Sequence, residues 1–244
     1  MIKTTRQQSA HVLLLDAGDT LYGQQQPAQQ TQAKVLIDGM NLLGYNAMVI
    51  GDLDLQLGLD VLRQRIADAR FPILSANLMV AGENMLLAQP YTVLEMGGHK
   101  VAIIGLTWDG LSPDDPSVKD KFLLLKADLV LPQYVTEVSQ QADIVILLSN
   151  MGFEEDQRLS YAVPGIDLIV GGRSRMPMTA AWKNETTGTL IVQAGAQGEW
   201  IGRRTLNINS AGVVTAYQDE LVYLTDDFVD DPEMRAFLDN YKVQ

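Results

Sequence analysis

Unbroken apolar runs that end in turn residues limit the fold of this chain most: HVLLLDAGD, AMVIGD, FPILSANL, ADIVILLSNMG, GIDLIVGG and TGTLIVQAG. A strand with one wet face alternates apolar and polar residues, whereas a continuous apolar run fits a strand buried on both faces. Helical patterns lie between several of them. AKVLIDGMNLLG carries apolar residues at helical spacing and closes at Gly44, a C-terminal cap. LGLDVLRQRIADA repeats the pattern, and LVLPQYVTEVSQQ is a third candidate, entered through Pro132. DDPEMRAFLDNYKV reads as a terminal helix opened by acidic residues and Pro232. The first half is therefore β-α-β-α-β. A hairpin follows, YTVLEMGGHKVAIIG, turning at Gly97 and Gly98, and the last part reads as antiparallel strands with short glycine turns. The architecture implied is α/β, two sheets packed together with helices outside, in a single domain over residues 1–244. The Gln-rich GQQQPAQQTQ reads as a polar loop leading into a helix.

Composition matters for what it excludes. A chain of 244 residues, 47% hydrophobic and 20% charged, can bury a substantial core. Acidic residues outnumber basic ones 30 to 18, for a net charge of −12. That argues against nucleic acid as a partner, since phosphate backbones are held by basic surfaces. It leaves room for a small phosphate-containing molecule at one local site. The absence of cysteine removes disulfides, thiolate metal sites and cysteine nucleophiles. The opening MIKTTRQQSA is polar and lacks a signal-peptide core. No run approaches the ~18–20 apolar residues of a membrane span. The chain is read as soluble, in an undetermined compartment.

In buried sheets, chemistry gathers just beyond the C-terminal strand ends. Those positions hold Asp16 and Asp19, Asp52 and Asp54, Asn150, Arg173 and Arg175, and Gln193, with Trp108 after a further strand. Singly, such residues are ordinary turn and cap formers; together they suggest one shared cluster. If the strand of IDLIVGG runs on, Arg173 and Arg175 project to the same side and require an anion, which can be a ligand, the protein's own carboxylates or water. Trp108 is read as a packing aromatic, and Glu154, Glu155 and Asp156 as a solvated helix start.

These stretches resemble the catalytic domain of the 5′-nucleotidase and UDP-sugar hydrolase group of calcineurin-like metallophosphoesterases. LLLDAGDTLYG resembles the family's Gly-Asp motif, LGYNAMVIGDLDLQLG its Gly-Asn-His-Glu segment, ADIVILLSNMGFEED the segment with a metal-binding His, and IDLIVGGRSR the Gly-His-Ser-His motif. The resemblance runs in order from about Val12 to Leu206. It implies a four-layer α/β/β/α sandwich and a phosphoesterase site built on two bridged metal ions. The family's opening Asp-X-His motif has no counterpart, so its first strand is expected to be missing. The bare sheet edge then needs covering by residues 1–10 or by another chain. The family's C-terminal domain is likewise expected to be absent. The family is commonly exported, but no signal peptide is visible here.

Carried over by position, Asp19 matches the bridging aspartate and Asp52 an Asn ligand. Leu53 stands where the family has its catalytic His, Asn150 replaces a His ligand, and Arg173 and Arg175 replace both histidines of the last motif. The chain's two histidines, His11 and His99, match no ligand position. Arginine stays protonated and cannot ligate a metal. The expectation is a catalytically degenerate domain serving as a binding or interaction module, with no cofactor. Asp19, Asp52, Asp54, Asn150, Arg173 and Arg175 form its vestigial cluster. Arg173 and Arg175 either pair with Asp19 and Asp52 or bind a phosphate-bearing molecule; the alternative partner is another protein chain. The competing reading is a residual metal-dependent phosphoesterase, with Mg²⁺, Mn²⁺ or Zn²⁺ held by Asp19 and Asp52.

Overall fold

The computed structural model describes residues 1–23 and 25–241. Helix α1 (Ile2–Gln8) precedes strand β1 (Leu15–Asp16), then α2 (Gln26–Gln30), α3 (Lys34–Leu43), β2 (Ala47–Val49), a 3-10 turn (Leu53–Leu57), α4 (Leu59–Asp68), β3 (Ile73–Leu74) and β4 (Leu78–Val80). The hairpin β5 (Tyr91–Met96) and β6 (His99–Leu106) follows, then β7 (Phe122–Leu124), α5 (Ala127–Val138), β8 (Ile144–Ser149), α6 (Phe153–Ala162) and β9 (Leu168–Gly171). The chain closes with β10 (Trp182–Lys183), β11 (Leu190–Gln193), the ribbon β12 (Trp200–Ile208) and β13 (Val214–Tyr223), and α7 (Pro232–Asp239).

Two sheets carry the fold: a parallel one in the order β1-β2-β3 and a second in the order β10-β11-β9-β8-β6-β5. In the second, β11, β9, β8 and β6 run parallel, and antiparallel β10 and β5 close its edges. Between the sheets lies a core of Ala47, Val49, Leu74, Val101, Ile103, Ile146 and Leu148. The outer face of the first sheet packs Met48 and Ile50 against Ile37, Met40 and Leu62 of α3 and α4. That of the second packs Ile104, Leu147 and Ile169 against Leu131, Val135 and Leu159 of α5 and α6. Strand β8 shows why the runs are unbroken: alternate residues face the inter-sheet core and the helical layer, and both environments are dry. The four layers α/β/β/α are those expected.

Several boundaries differ from expectation, each for a local reason. HVLLLDAGD gives only a two-residue strand, because β1 has a neighbour on one side alone. FPILSANL splits into β3, parallel to β2, and β4, antiparallel to β7. Helix α5 begins five residues before Pro132, at Ala127, whose N–H donates to Asp109 Oδ2 at 2.7 Å. Burial of Ala127, Leu131, Val135 and Val138 on the sheet outweighs the one backbone bond the proline removes. Part of the Gln-rich stretch is helical rather than loop, with Pro27 in the first turn of α2; Gln24 lies outside the described residues. Helix α7 forms as expected with Asp231 as its cap, although Lys242 and Val243 of the predicted segment lie outside the described residues. Residues 1–10 form no strand beside β1. Helix α1 buries no side chain; Arg6 donates to the carbonyls of Leu43 and Gly44, and Lys3 pairs with Asp231 and Glu233. Among the described residues no helix is long and apolar enough to cross a membrane.

Candidate functional site

The loops after β1, β2, β8 and β9 meet at one end of the two sheets, and Asn150 ties three of them together. It is fully buried: its Nδ2–H donates to Ala17 O (3.1 Å), and its Oδ1 accepts the N–H of Asp52 (3.0 Å). Where the resemblance expects a metal-binding imidazole, this side chain is a cross-link, its nitrogen and its oxygen each bonded to a different loop.

Asp54 departs most from the sequence reading. Rather than facing the cleft, it is wholly buried and receives four backbone N–H groups. Gly51 and Asp19 donate to Oδ2 at 2.8 and 3.1 Å, and Leu21 and Tyr22 to Oδ1 at 2.8 and 3.2 Å. Burial raises its pKa above the ordinary carboxylate value, and the backbone donors pull the other way. The four backbone donors favour the ionised form against that burial and against the charges of Asp19 and Asp16, and the group acts as a clamp holding the loops after β1 and β2. It is not available to a cation. Gly51 is required beside it, because a Cβ there would collide with Asp19.

Asp19 has a left-handed backbone (φ 64°), which aims its carboxylate at the loop after β2, and Oδ1 accepts the N–H of Leu53 (3.0 Å). Leu53 thus contributes its backbone, its half-buried side chain having no donor. Asp16 accepts the Thr20 hydroxyl and the Gly18 N–H, and burial lifts its pKa to about 6.

The arginines are not on a strand. Strand β9 stops at Gly171, and Arg173 and Arg175 both lie in the left-handed region (φ 66° and 56°), so the expected same-side geometry does not arise. Their fates differ. Arg173 Nε donates to Asp52 Oδ1 at 3.2 Å, and its guanidinium sits 3.4 Å from the centroid of the Trp108 ring, a cation–π contact. Trp108 is therefore both a core-packing aromatic and a platform for a cation. Asp52 is raised above the ordinary carboxylate value by burial and by the charge of Asp19, with Arg173 acting against both. Arg175 is exposed and makes no hydrogen bond or ion pair among the described residues. One arginine neutralises one carboxylate; the pairing expected with Asp19 is not formed. Between them, the Ser174 hydroxyl accepts the Phe153 N–H (2.6 Å) and caps α6.

Three features at this end of the sheets differ from the sequence reading or escaped it. Asp156 is not solvated. It is buried beside Gln193, its Oδ1 accepts the Ser149 hydroxyl, and its Oδ2 makes no well-formed hydrogen bond. Burial pushes its pKa up to about 7, opposed by contacts with Ser149 and Gln193. Gln193, expected in the cluster, is buried beneath the arginine loop instead, both its amide atoms lacking a well-formed hydrogen bond. A second buried network joins β2, β3 and β6: Thr107 Oγ1–H donates to Ile50 O (2.7 Å), and Asn77 Nδ2–H donates to Thr107 O (2.8 Å). The signal was the polar residues closing FPILSAN and IIGLT, which passed as connecting stretches. His11 and His99 lie far from the cluster, at the β5–β6 turn: His11 packs on Gly97, and His99 Nδ1 is 3.8 Å from Asp143 Oδ2. Among the described residues no three His, Cys, Asp or Glu side chains converge as a metal-ligand set. The donors that remain, with Asp54 clamped and a guanidinium on Asp52, do not fit a dinuclear centre.

No protein-family model matches the chain. Protein UshA of Yersinia enterocolitica is 28% identical over 284 aligned residues, covering 96% of this chain and 51% of that protein. The structure of a 5′-nucleotidase precursor from Thermus thermophilus is 28% identical at a TM-score of 0.82, covering 98% of this chain and 51% of that one. The sulfate thiohydrolase SoxB of Thermus thermophilus shares the fold at a TM-score of 0.89 with 22% identity, over 98% of this chain and 45% of that one. The chain spans about half the length of the curated relatives it matches. In sequence and in fold it is a relative of the 5′-nucleotidase group of metallophosphoesterases.

Proposed function

We propose that this 5′-nucleotidase-like domain is catalytically degenerate and acts as a binding module, taking a phosphate-bearing small molecule without hydrolysing it. The observation that carries this reading is the position of Arg173, fixed between Asp52 and the Trp108 ring. A guanidinium there brings a permanent positive charge to a carboxylate that a cation would otherwise need, and offers no lone pair of its own. Leu53 adds support, since its side chain can neither donate nor accept a proton. Arg175 supplies the binding function: an exposed cation without a partner among the described residues, carried on a backbone conformation that costs about 1 kcal/mol for a residue with a Cβ.

Two measurements test the reading. Elemental analysis of the protein as purified should find no stoichiometric transition metal; two equivalents of zinc or manganese would contradict it. Isothermal titration with 5′-AMP and with inorganic phosphate should give heats that Arg175→Gly reduces at least tenfold in affinity. The same variant should unfold at an equal or slightly higher urea concentration, because the left-handed strain is relieved. Unchanged binding in Arg175→Gly would remove that residue from the site.

A further inference from the structure

The loop after β9 does more than carry the arginines. From Met176 to Trp182 it lines a cavity of about 360 Å³, which Phe153, the first residue of α6, completes. Arg175 stands where these two parts meet. Met176 follows it in the chain, and the Phe153 N–H donates to the hydroxyl of Ser174, the residue before it. Its backbone is thus bracketed by the cavity's own residues, and its exposed side chain has no partner among the described residues.

The cavity is held in shape by three sets of contacts. Trp182 meets Phe153 edge to face, with ring centroids 6.4 Å apart, and Tyr161 likewise at 6.2 Å. The loop is tied to the end of β11: the Met178 N–H donates to Gln193 O and the Gly195 N–H to Met176 O, both at 3.1 Å. The ribbon β12–β13 grips it as well. Arg204 Nη2–H donates to Met178 O at 2.8 Å, and Asp219 Oδ2 accepts the Ala181 N–H at 2.5 Å. These two side chains are almost fully buried and pair with each other at 3.0 Å. With its backbone fixed at Met176, Met178 and Ala181, the cavity exists before a ligand arrives, which lowers the ordering cost of binding.

Its chemistry is apolar. Met176 and Met178 bring thioethers, Phe153 and Trp182 bring rings, and Thr179 alone among the lining residues has a polar side chain. Thioethers and aromatic rings both favour contact with a flat aromatic group. The backbone groups of Met176, Met178 and Ala181 that could read a polar ring edge are already bonded. That disfavours a nucleobase, whose edge donors and acceptors would enter without partners. A dry cavity of about 150 Å³ takes benzene, so the space here suits one or two fused rings. We propose, resting on the phosphate reading of Arg175, that this cavity is the subsite for an apolar aromatic group. The ligand class is then an aryl phosphate monoester rather than a nucleotide, its phosphate on Arg175 and its ring against Trp182.

Isothermal titration of the full chain with 1-naphthyl phosphate, 1-naphthol, 5′-AMP, ribose 5-phosphate and inorganic phosphate tests it. Naphthyl phosphate should bind at least about tenfold tighter than inorganic phosphate, within the range that stacking on an aromatic side chain supplies. By contrast, 5′-AMP should bind no tighter than ribose 5-phosphate. Trp182→Ala should abolish the naphthyl preference and leave the affinity for inorganic phosphate unchanged; Met176→Ser, a milder change, should weaken the preference. Equal affinity of the wild-type protein for naphthyl phosphate and inorganic phosphate overturns the aromatic subsite and leaves the phosphate reading standing. A preference that survives intact in folded Trp182→Ala overturns it too. If 5′-AMP binds as tightly as naphthyl phosphate, the assignment of ligand class is overturned. Naphthol binding as tightly as its phosphate supports the subsite and removes the phosphate from Arg175. No binding by any of the five overturns both.

Discussion

Asp54→Asn is expected to lower the unfolding free energy by about 3–4 kcal/mol, as measured by urea denaturation at neutral pH. The wild-type carboxylate receives four backbone N–H groups from two loops and is fully buried. An amide offers one oxygen and one NH₂, so at least one pair of donors must face another donor. A buried donor left unsatisfied costs about 1–3 kcal/mol, and bonds to a charged acceptor are the stronger ones. Asp54→Ala should be worse still, adding a cavity. Because the same N–H groups position Asp19, either variant should also raise exchange at the amides of residues 19, 21, 22 and 51. A loss below about 1 kcal/mol would mean that the four bonds do not hold the loops.

Asp156→Asn should act in the opposite direction at alkaline pH. The native pKa of Asp156 is about 7, against an ordinary 3.8. A carboxyl whose pKa is raised on folding stabilises the native state most below its unfolded value, and loses that contribution as pH rises through the folded value. The full span is on the order of 4 kcal/mol, of which roughly 2–3 kcal/mol falls between pH 5 and pH 8.5. Asparagine reproduces the protonated form: its oxygen still accepts from Ser149 and its NH₂ can donate to the Gln193 carbonyl. Urea denaturation across that range should give a variant that gains on wild type as pH rises and is the more stable protein at pH 8.5. Asp16, raised to about 6, titrates in both proteins and cancels from the difference. Parallel pH profiles would show that Asp156 is charged throughout.

The layers of the fold were legible because burial on both faces leaves a direct trace, as in ADIVILLS, and because the Gly97–Gly98 turn and the Gly44 cap have chemistry of their own. Strand length was not. HVLLLDAGD looks like a full strand but forms only two ladder residues, since pairing depends on a neighbour that no local pattern reveals. Pro132 misled by the same logic: a local breaker was overruled by the apolar face of α5. At the site, residue types at strand ends located the cluster but not the job of each member. Asp52 and Asp54 are two residues apart and chemically identical, yet one meets Arg173 and the other is sealed by backbone donors. That difference follows from the left-handed turns at Gly18 and Asp19. Asp156 was read as solvated because its neighbours Glu154 and Glu155 are; helical geometry turns it inward, under β9 and β11.

The central claim is that Arg173, Arg175 and Leu53 leave this domain without phosphoesterase chemistry. Release of inorganic phosphate from 5′-AMP, followed with saturating Mn²⁺ in the reaction, tests it most directly. The account predicts no turnover above the buffer rate, and no difference between wild type and Asp19→Ala. Metal-dependent phosphate release that disappears in Asp19→Ala would contradict it.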